Sequence, residues 1–297
     1  MTSSEHDEQR SMHGKTCLVT GASSGIGRET ALGLARQGAT VLLVVRDLDR
    51  GATVAAEIAT CASQGSADVF VADLAAQDQV RELAHRVTER HHTLDVLVHN
   101  AAAVNPVRRV TADGVEATLA VNHLAPFLLT HLLAEPLTAA PAARVVSVSS
   151  YLHTMVKTIP WEDVQSEHSY RASATYNVTK LMNLLFTYEL ARRWAGTRVT
   201  ANALHPGWPL KTNLGREQRG AGAVFDRVTK LFGASAAKGA RTSLFLASAP
   251  AVAEETGRYY TKSKPTTSSP LSHDAAAAQQ LWQASEKWCG ISPADNP

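Results

Sequence analysis

From Lys15 onward, short apolar runs alternate with stretches whose apolar residues recur at helical spacing. Residues 16–20 (T-C-L-V-T) read as a strand buried on both faces, and a glycine-rich turn and a helix over about 26–37 follow. Gly38 stands where a glycine would close that helix. The same alternation predicts strands at 40–45, 68–72, 94–99, 144–149 and 198–204. It predicts helices over about 48–61, 77–90, 115–133 and 175–194. Strand and helix in this order build βαβ units with right-handed crossovers, so the expected fold is α/β, a single-domain doubly wound parallel β-sheet with helices on both faces. The expected boundaries are a flexible leader at 1–13, one domain over 14–290 and a flexible tail at 291–297. Within the domain, the Gly- and Ala-rich segment at about 208–238 reads as a substrate flap, and a last helix is expected over 275–287.

Composition narrows the classes without choosing a function. With 297 residues, 44% hydrophobic and 19% charged, the chain can bury a full core. A net charge of +2 gives no reason to expect nucleic acid as a partner. Three dispersed cysteines form neither a disulfide framework nor a zinc spacing. None of the twelve histidines belongs to a metal motif, so no metal is expected. No apolar run reaches the roughly 18 residues of a membrane span, so the expectation is a cytoplasmic chain without a membrane anchor.

Chemistry enters at the first turn. Thr20-Gly21-Ala22-Ser23-Ser24-Gly25-Ile26-Gly27 joins the first strand to the first helix. There Gly21 permits the tight turn, Gly25 lets backbone approach a pyrophosphate, and Gly27 lets the helix pack closely. Ser23, Ser24 and the free N–H groups around Ile26 face the expected phosphates, assisted by the helix dipole. At the end of the second strand Val45 occupies the place where a carboxylate would select NAD, and Arg46 follows. Arg28 adds a second guanidinium. The pair suits a 2′-phosphate, so NADP(H) is the expected cofactor. The alternative is that both are solvated surface arginines.

Tyr176-Asn177-Val178-Thr179-Lys180 places a phenol and an ammonium on one helix face. A cation there is expected to lower the phenol pKa toward the working range of an acid/base catalyst. Ser147-Val148-Ser149-Ser150 ends the fifth strand, where open sheets place ligands. Asn122 sits inside a helix that it does not favour, His99-Asn100-Ala101 ends the fourth strand, and Asp73-Leu74 ends the third. Each alone reads equally well as a turn or cap residue.

Together these motifs resemble the short-chain dehydrogenase/reductase family over about 14–260, in its compact Rossmann-like form. The resemblance implies Ser150, Tyr176, Lys180 and Asn122 as the catalytic set, with Asn122 holding Lys180 through a water. It implies that Asp73 and Leu74 contact adenine, that Asn100 and Ala101 brace the sheet, and that Lys180 binds ribose. It also implies that Pro206-Gly207 turns the chain past the nicotinamide and that Thr212 contacts phosphate. Val121-Asn122-His123-Leu124, Phe127-Leu128-Leu129-Thr130, Ile159-Pro160, Thr256-Gly257-Arg258-Tyr259-Tyr260 and Leu281-Trp282 are similar to the retinol dehydrogenase-like branch. Ala102 stands where the family commonly has glycine. The run from Gly207 through Trp208 to Thr212 is one residue longer than usual.

The resemblance implies an NADP(H)-dependent carbonyl reductase or alcohol dehydrogenase. Its small-molecule partner would be a lipophilic or polycyclic ketone or aldehyde, or the matching alcohol. It also leaves a homodimer or homotetramer possible through the helices around Asn122 and Tyr176, or a monomer if the tail covers them. The alternative from another class is a non-catalytic NADP(H)-sensing or scaffold protein, for which a tuned phenol would have no use. An extended-type epimerase or dehydratase would need a larger substrate domain and a different glycine spacing.

Overall fold

The computed structural model describes residues 11–207 and 235–292. Strands β1 (Thr16–Thr20), β2 (Thr40–Val45), β3 (Ser66–Val71), β4 (Val96–His99), β5 (Ala143–Val148), β6 (Val199–His205) and β7 (Arg258–Thr261) pair in parallel. β8 (Lys264–Pro265) adds antiparallel to β7, giving the order β3-β2-β1-β4-β5-β6-β7-β8. The chain winds outward from β1 to β3 and then returns to the other side of β1 at β4. The crevice beyond the carboxyl ends of β1 and β4 is therefore the topological switch point, where such sheets take ligands.

Alternation along the strands divides the core between the two faces. Leu18, Leu42, Phe70, Leu97 and Val145 pack against Leu83, Phe127, Leu181, Leu185 and Trp282. These come from α3 (Gln77–Arg90), α5 (Ala125–Leu132), α7 (Ala172–Arg193) and α9 (Ala275–Cys289). Cys17, Val41, Leu43, Val98 and Val146 pack on the opposite face against Leu34, Ile58 and Leu246. Those belong to α1 (Gly25–Arg36), α2 (Leu48–Cys61) and α8 (Ala236–Ser248). Each fully buried leucine contributes about 1.5–3 kcal/mol, which explains why continuous apolar strands end up between two helical layers.

Several expectations need correction. The helix expected over 115–133 is interrupted: α4 (Ala117–Leu119) leads into a π turn, Ala120–Leu124, before α5, and the short α6 (Ala134–Ala139) follows. The Ala125 N–H reaches back to Ala120 O, and Pro126 has no N–H to offer the Asn122 carbonyl. Residues 235–238, expected in a flap, start α8, where the Ser235 hydroxyl accepts from Lys238 N at 3.3 Å. Residues 208–234, including Trp208, Thr212 and most of the expected flap, lie outside the described residues. The leader is not free at its end, because Met12 is buried and donates its N–H to Gln37 O at 3.0 Å. Ile291, placed in the tail, is buried as well. β7 is too short for its pattern to announce, and a turn with Lys262 and Ser263 both at positive φ (53° and 59°) joins it to β8. α9 covers α7 and the π turn: Trp282 stands edge-on to Phe127 at 5.0 Å, and His123 Nε2 meets the Ser285 hydroxyl at 2.8 Å.

Candidate active site

The glycine turn after β1 is bonded to β2, with Gly21 N and Ala22 N donating to Val44 O at 3.0 and 3.2 Å. Gly21 and Gly25 have φ of +67° and +57°, which side-chain-bearing residues rarely adopt. A Cβ on Gly27 would lie 2.3 Å from Gly21 O and 2.4 Å from Asn100 Nδ2. Gly27 thus lets the helix close onto the turn and the β4 end, rather than onto the sheet at large. A Cβ on Gly25 would meet nothing within 4 Å, and Ser24 takes the N-cap position without a side-chain cap bond. Open space at Gly25 beside uncapped N–H groups fits a dinucleotide pyrophosphate. Ser23, Ser24 and Ile26 border that space along the turn and the first residues of α1.

Asn100 is bonded to the end of β1. Its amide donates to Thr20 O at 2.9 Å, and the Asn100 and Ala101 N–H groups both donate to the Thr20 hydroxyl at 3.0 Å. Asp73 lies two residues beyond β3, where its carboxylate accepts from Ala75 N at 3.0 Å, and Leu74 beside it is buried. Arg46 is exposed after β2 and forms no ion pair among the described residues. Arg28 is different, because its guanidinium is held by Glu29 and Glu57. Pro206 and Gly207 follow β6, with Gly207 at φ +104°.

Ser150, Tyr176 and Lys180 converge at the carboxyl end of β5. Lys180 is 1% exposed, and its ammonium donates to Val148 O at 2.9 Å. Burial lowers its pKa to about 8. The Ser149 hydroxyl donates to Lys180 O at 2.7 Å, tying β5 to α7. Ser150 caps a short 3₁₀ turn, Tyr151–Met155, and its hydroxyl accepts from Leu152 N at 3.2 Å. That bond leaves the Ser150 proton free to point at a neighbouring oxygen.

Tyr176 corrects one expectation. Burial pushes its phenol above the ordinary range, and the hydrogen bond with Ser150 opposes the shift without reversing it. Lys180 Nζ lies 5.5 Å from the tyrosine ring centre and spends its donor on Val148. In the chain alone, desolvation therefore outweighs the cation.

Asn122 is fully engaged. Its Oδ1 accepts from Ala103 N at 2.7 Å, and its Nδ2 donates to Ala103 O at 2.9 Å and to the Thr179 hydroxyl at 3.1 Å. Its side chain thus reaches the Lys180 neighbourhood through Thr179, which the sequence reading had left without a role. The π turn supplies the missing reason for an asparagine at this helical position.

Two histidines beside the site also carry more than their sequence context shows. His205 accepts from Tyr151 N at 3.3 Å, and burial lowers its pKa to about 4. His153 is 1% exposed and is bonded at both ring nitrogens. No signal in the sequence separates it from the other histidines. Among the described residues no group of three His, Cys, Asp or Glu converges, and no helix is long and apolar enough to cross a membrane.

Comparison with known proteins gives a consistent result. Residues 15–221 match the family described as short chain dehydrogenase. The chain is 40% identical over 293 residues to retinol dehydrogenase 14 of Mus musculus, covering 94% of this chain and 87% of that one. It is 42% identical over 274 residues to a protein of Streptomyces sp. strain C5 named as a candidate daunorubicin C-13 ketoreductase, DnrU, covering 92% and 91%. Among solved structures, a short chain dehydrogenase from Burkholderia cenocepacia in complex with NADP superposes with a TM-score of 0.67 at 28% identity, covering 84% and 96%.

Proposed function

We infer that this chain, which belongs to the short-chain dehydrogenase family and is an oxidoreductase acting on CH–OH or C=O groups, works with NADP(H) on lipophilic or polycyclic ketones and aldehydes, or on the matching alcohols. The observation that carries this reading is the meeting of Ser150, Tyr176 and Lys180 at the carboxyl end of β5, next to the switch-point crevice.

When bound, the reduced nicotinamide supplies a hydride to the carbonyl carbon and is left oxidised. Ser150 donates its hydroxyl proton in a hydrogen bond to the carbonyl oxygen, its own acceptor site being occupied by Leu152 N. Tyr176, kept protonated by burial, gives its phenolic proton to the oxygen as the C–O double bond becomes single. Lys180, held on Val148 O, would present a fixed cation to the ribose, and in the reverse direction Tyr176 would take the proton from the alcohol oxygen. Arg46 and Arg28 support NADP(H) over NAD(H) through charge-assisted bonds to a 2′-phosphate. Tyr151 and Met155, 59% and 62% exposed in the turn after Ser150, support an apolar substrate.

The test is NADPH oxidation by the purified chain with all-trans-retinal and daunorubicin as carbonyl probes, beside the Tyr176→Phe variant. Tyr176→Phe should keep its melting temperature and lose about 10²–10⁴-fold in kcat. Full activity in that variant would overturn the acid/base assignment, and a preference for NADH would overturn the cofactor reading.

A further inference from the structure

Among the described residues, His153 is a histidine bonded at both ring nitrogens. Its Nδ1 lies 2.6 Å from Ser150 O, and a carbonyl can only accept, so Nδ1 carries the proton. Its Nε2 accepts from Ser269 N at 3.1 Å, so that nitrogen is bare. One neutral tautomer satisfies both bonds, and a second proton would break the one to Ser269. The ring is wedged edge-on against Tyr259 at 5.2 Å.

The two ends of this bridge differ in kind. One is the backbone of the serine that faces Tyr176. The other is the C-terminal segment, where Ser268 bonds the Tyr188 hydroxyl of α7 at 2.7 Å, Ser272 at 2.7 Å and His273 at 2.9 Å. His153 is the buried residue of a turn whose flanking Tyr151 and Met155 are largely exposed. Its burial therefore serves the bridge and not a general need of the turn to hide apolar surface.

We propose that His153 is a positioning residue for the hydride-transfer site: by locking the Ser150 carbonyl to the 268–273 segment, it fixes the direction in which the Ser150 hydroxyl points. The 3₁₀ turn alone leaves Ser150 with a 3.2 Å backbone bond from His153 N and a 3.2 Å side-chain bond from Leu152 N. The 2.6 Å imidazole bond grips the Ser150 carbonyl, and the 3.1 Å bond from Ser269 N anchors the same ring to a second element, while Tyr151 N on this peptide is held more loosely by His205 at 3.3 Å. Without His153 the peptide after Ser150 keeps only its longer bonds, and the hydroxyl loses its aim at the substrate oxygen. A small misplacement of this kind lowers turnover without weakening cofactor binding.

This inference rests on the proposed function, and the test separates the two. Asparagine places its amide nitrogen near Nδ1 and keeps the donation to Ser150 O. Glutamine places its amide oxygen near Nε2 and keeps only the bond to Ser269. Each of these two keeps one end of the bridge and loses the other, so in NADPH oxidation with all-trans-retinal or daunorubicin His153→Asn and His153→Gln should both fall about tenfold in kcat, and His153→Leu at least as far. KM and the NADPH dissociation constant, read from nicotinamide fluorescence, should move less than about twofold in all of them.

A parent-like kcat in His153→Asn or in His153→Gln would overturn the positioning role, as would a loss that follows melting temperature alone. If His153→Leu does not fold, the Asn and Gln pair still decides. Tyr176→Phe in the same assay reports on the parent reading: full activity there, or no reduction of either probe by the parent chain, sinks the function and this role with it.

Discussion

Lys180 and Arg28 are both cations placed beside the cofactor crevice, and they sit in opposite surroundings. Lys180 is 1% exposed, bonded to a strand carbonyl and packed beneath a half-buried tyrosine. Arg28 has a side chain 32% exposed and is flanked by two carboxylates. The first surroundings are dry and over-determined, so removing one partner strands another. The second are wet and interchangeable, so charges there trade partners at a cost of about 1 kcal/mol or less. Chemistry that needs a fixed proton belongs on the first side. Recognition of a phosphate, which tolerates several arrangements, belongs on the second.

Acid should break the dry side first. His99 donates from Nε2 to Thr130, whose own proton goes to Pro126 O, and His123 does the same to Ser285, which donates to Leu281 O. The Nδ1 of each is buried without a partner among the described residues. Burial lowers both pKa values to about 3, against 6.5 in the unfolded chain. The unfolded state therefore binds protons first. Stability is full above about pH 6.5 and declines as pH falls toward 3, by about 2 kcal/mol per histidine at pH 5. Denaturant melts at pH 7.5 and pH 5 would show it, and a flat profile would mean the rings are not held neutral.

Next in size is Asn122→Ala, which strands the Ala103 N–H and C=O and removes a donor from the Thr179 hydroxyl. A loss of about 2–4 kcal/mol is expected, seen as a lower melting temperature, with turnover falling further than cofactor affinity. An unchanged melting temperature would show that water replaces the amide freely.

The wet side should respond least. Arg46→Ala is expected to weaken NADPH by about tenfold and leave NADH unchanged. Glu57→Gln, which releases one partner of Arg28, should tighten NADPH by about threefold at low salt and by less at high salt. Titrations with both dinucleotides at two ionic strengths would distinguish these effects. A matching change for NADH would show that the arginines do not read the 2′-phosphate.

The parts legible in the sequence share a physical cause. β1, β2, β4 and β5 announce themselves as apolar runs because they lie between two helical layers. Gly21 and Gly25 stand out because the turn needs positive φ, and Gly27 because close packing leaves no room for a side chain. β7 and α8 were missed because neither carries its own signal. β7 is specified by its pairing with β6, and α8 by the face of α1 on which it lies. The helix through Asn122 was drawn too regular, because periodicity cannot register a π turn.

The sequence by itself determined the layered α/β order, the glycine turn after β1 and the placing of Ser150, Tyr176 and Lys180 at or beside one strand end. Those follow from local periodicity and from residue chemistry at strand ends. Tertiary structure alone decided that Tyr176 is raised and not lowered, that Arg28 is already paired, that Asn122 reaches Thr179, and that His153 joins Ser150 to Ser269 across 116 positions. Proton affinities and hydrogen-bond partners depend on what surrounds a group in three dimensions, and distance along the chain carries no record of it.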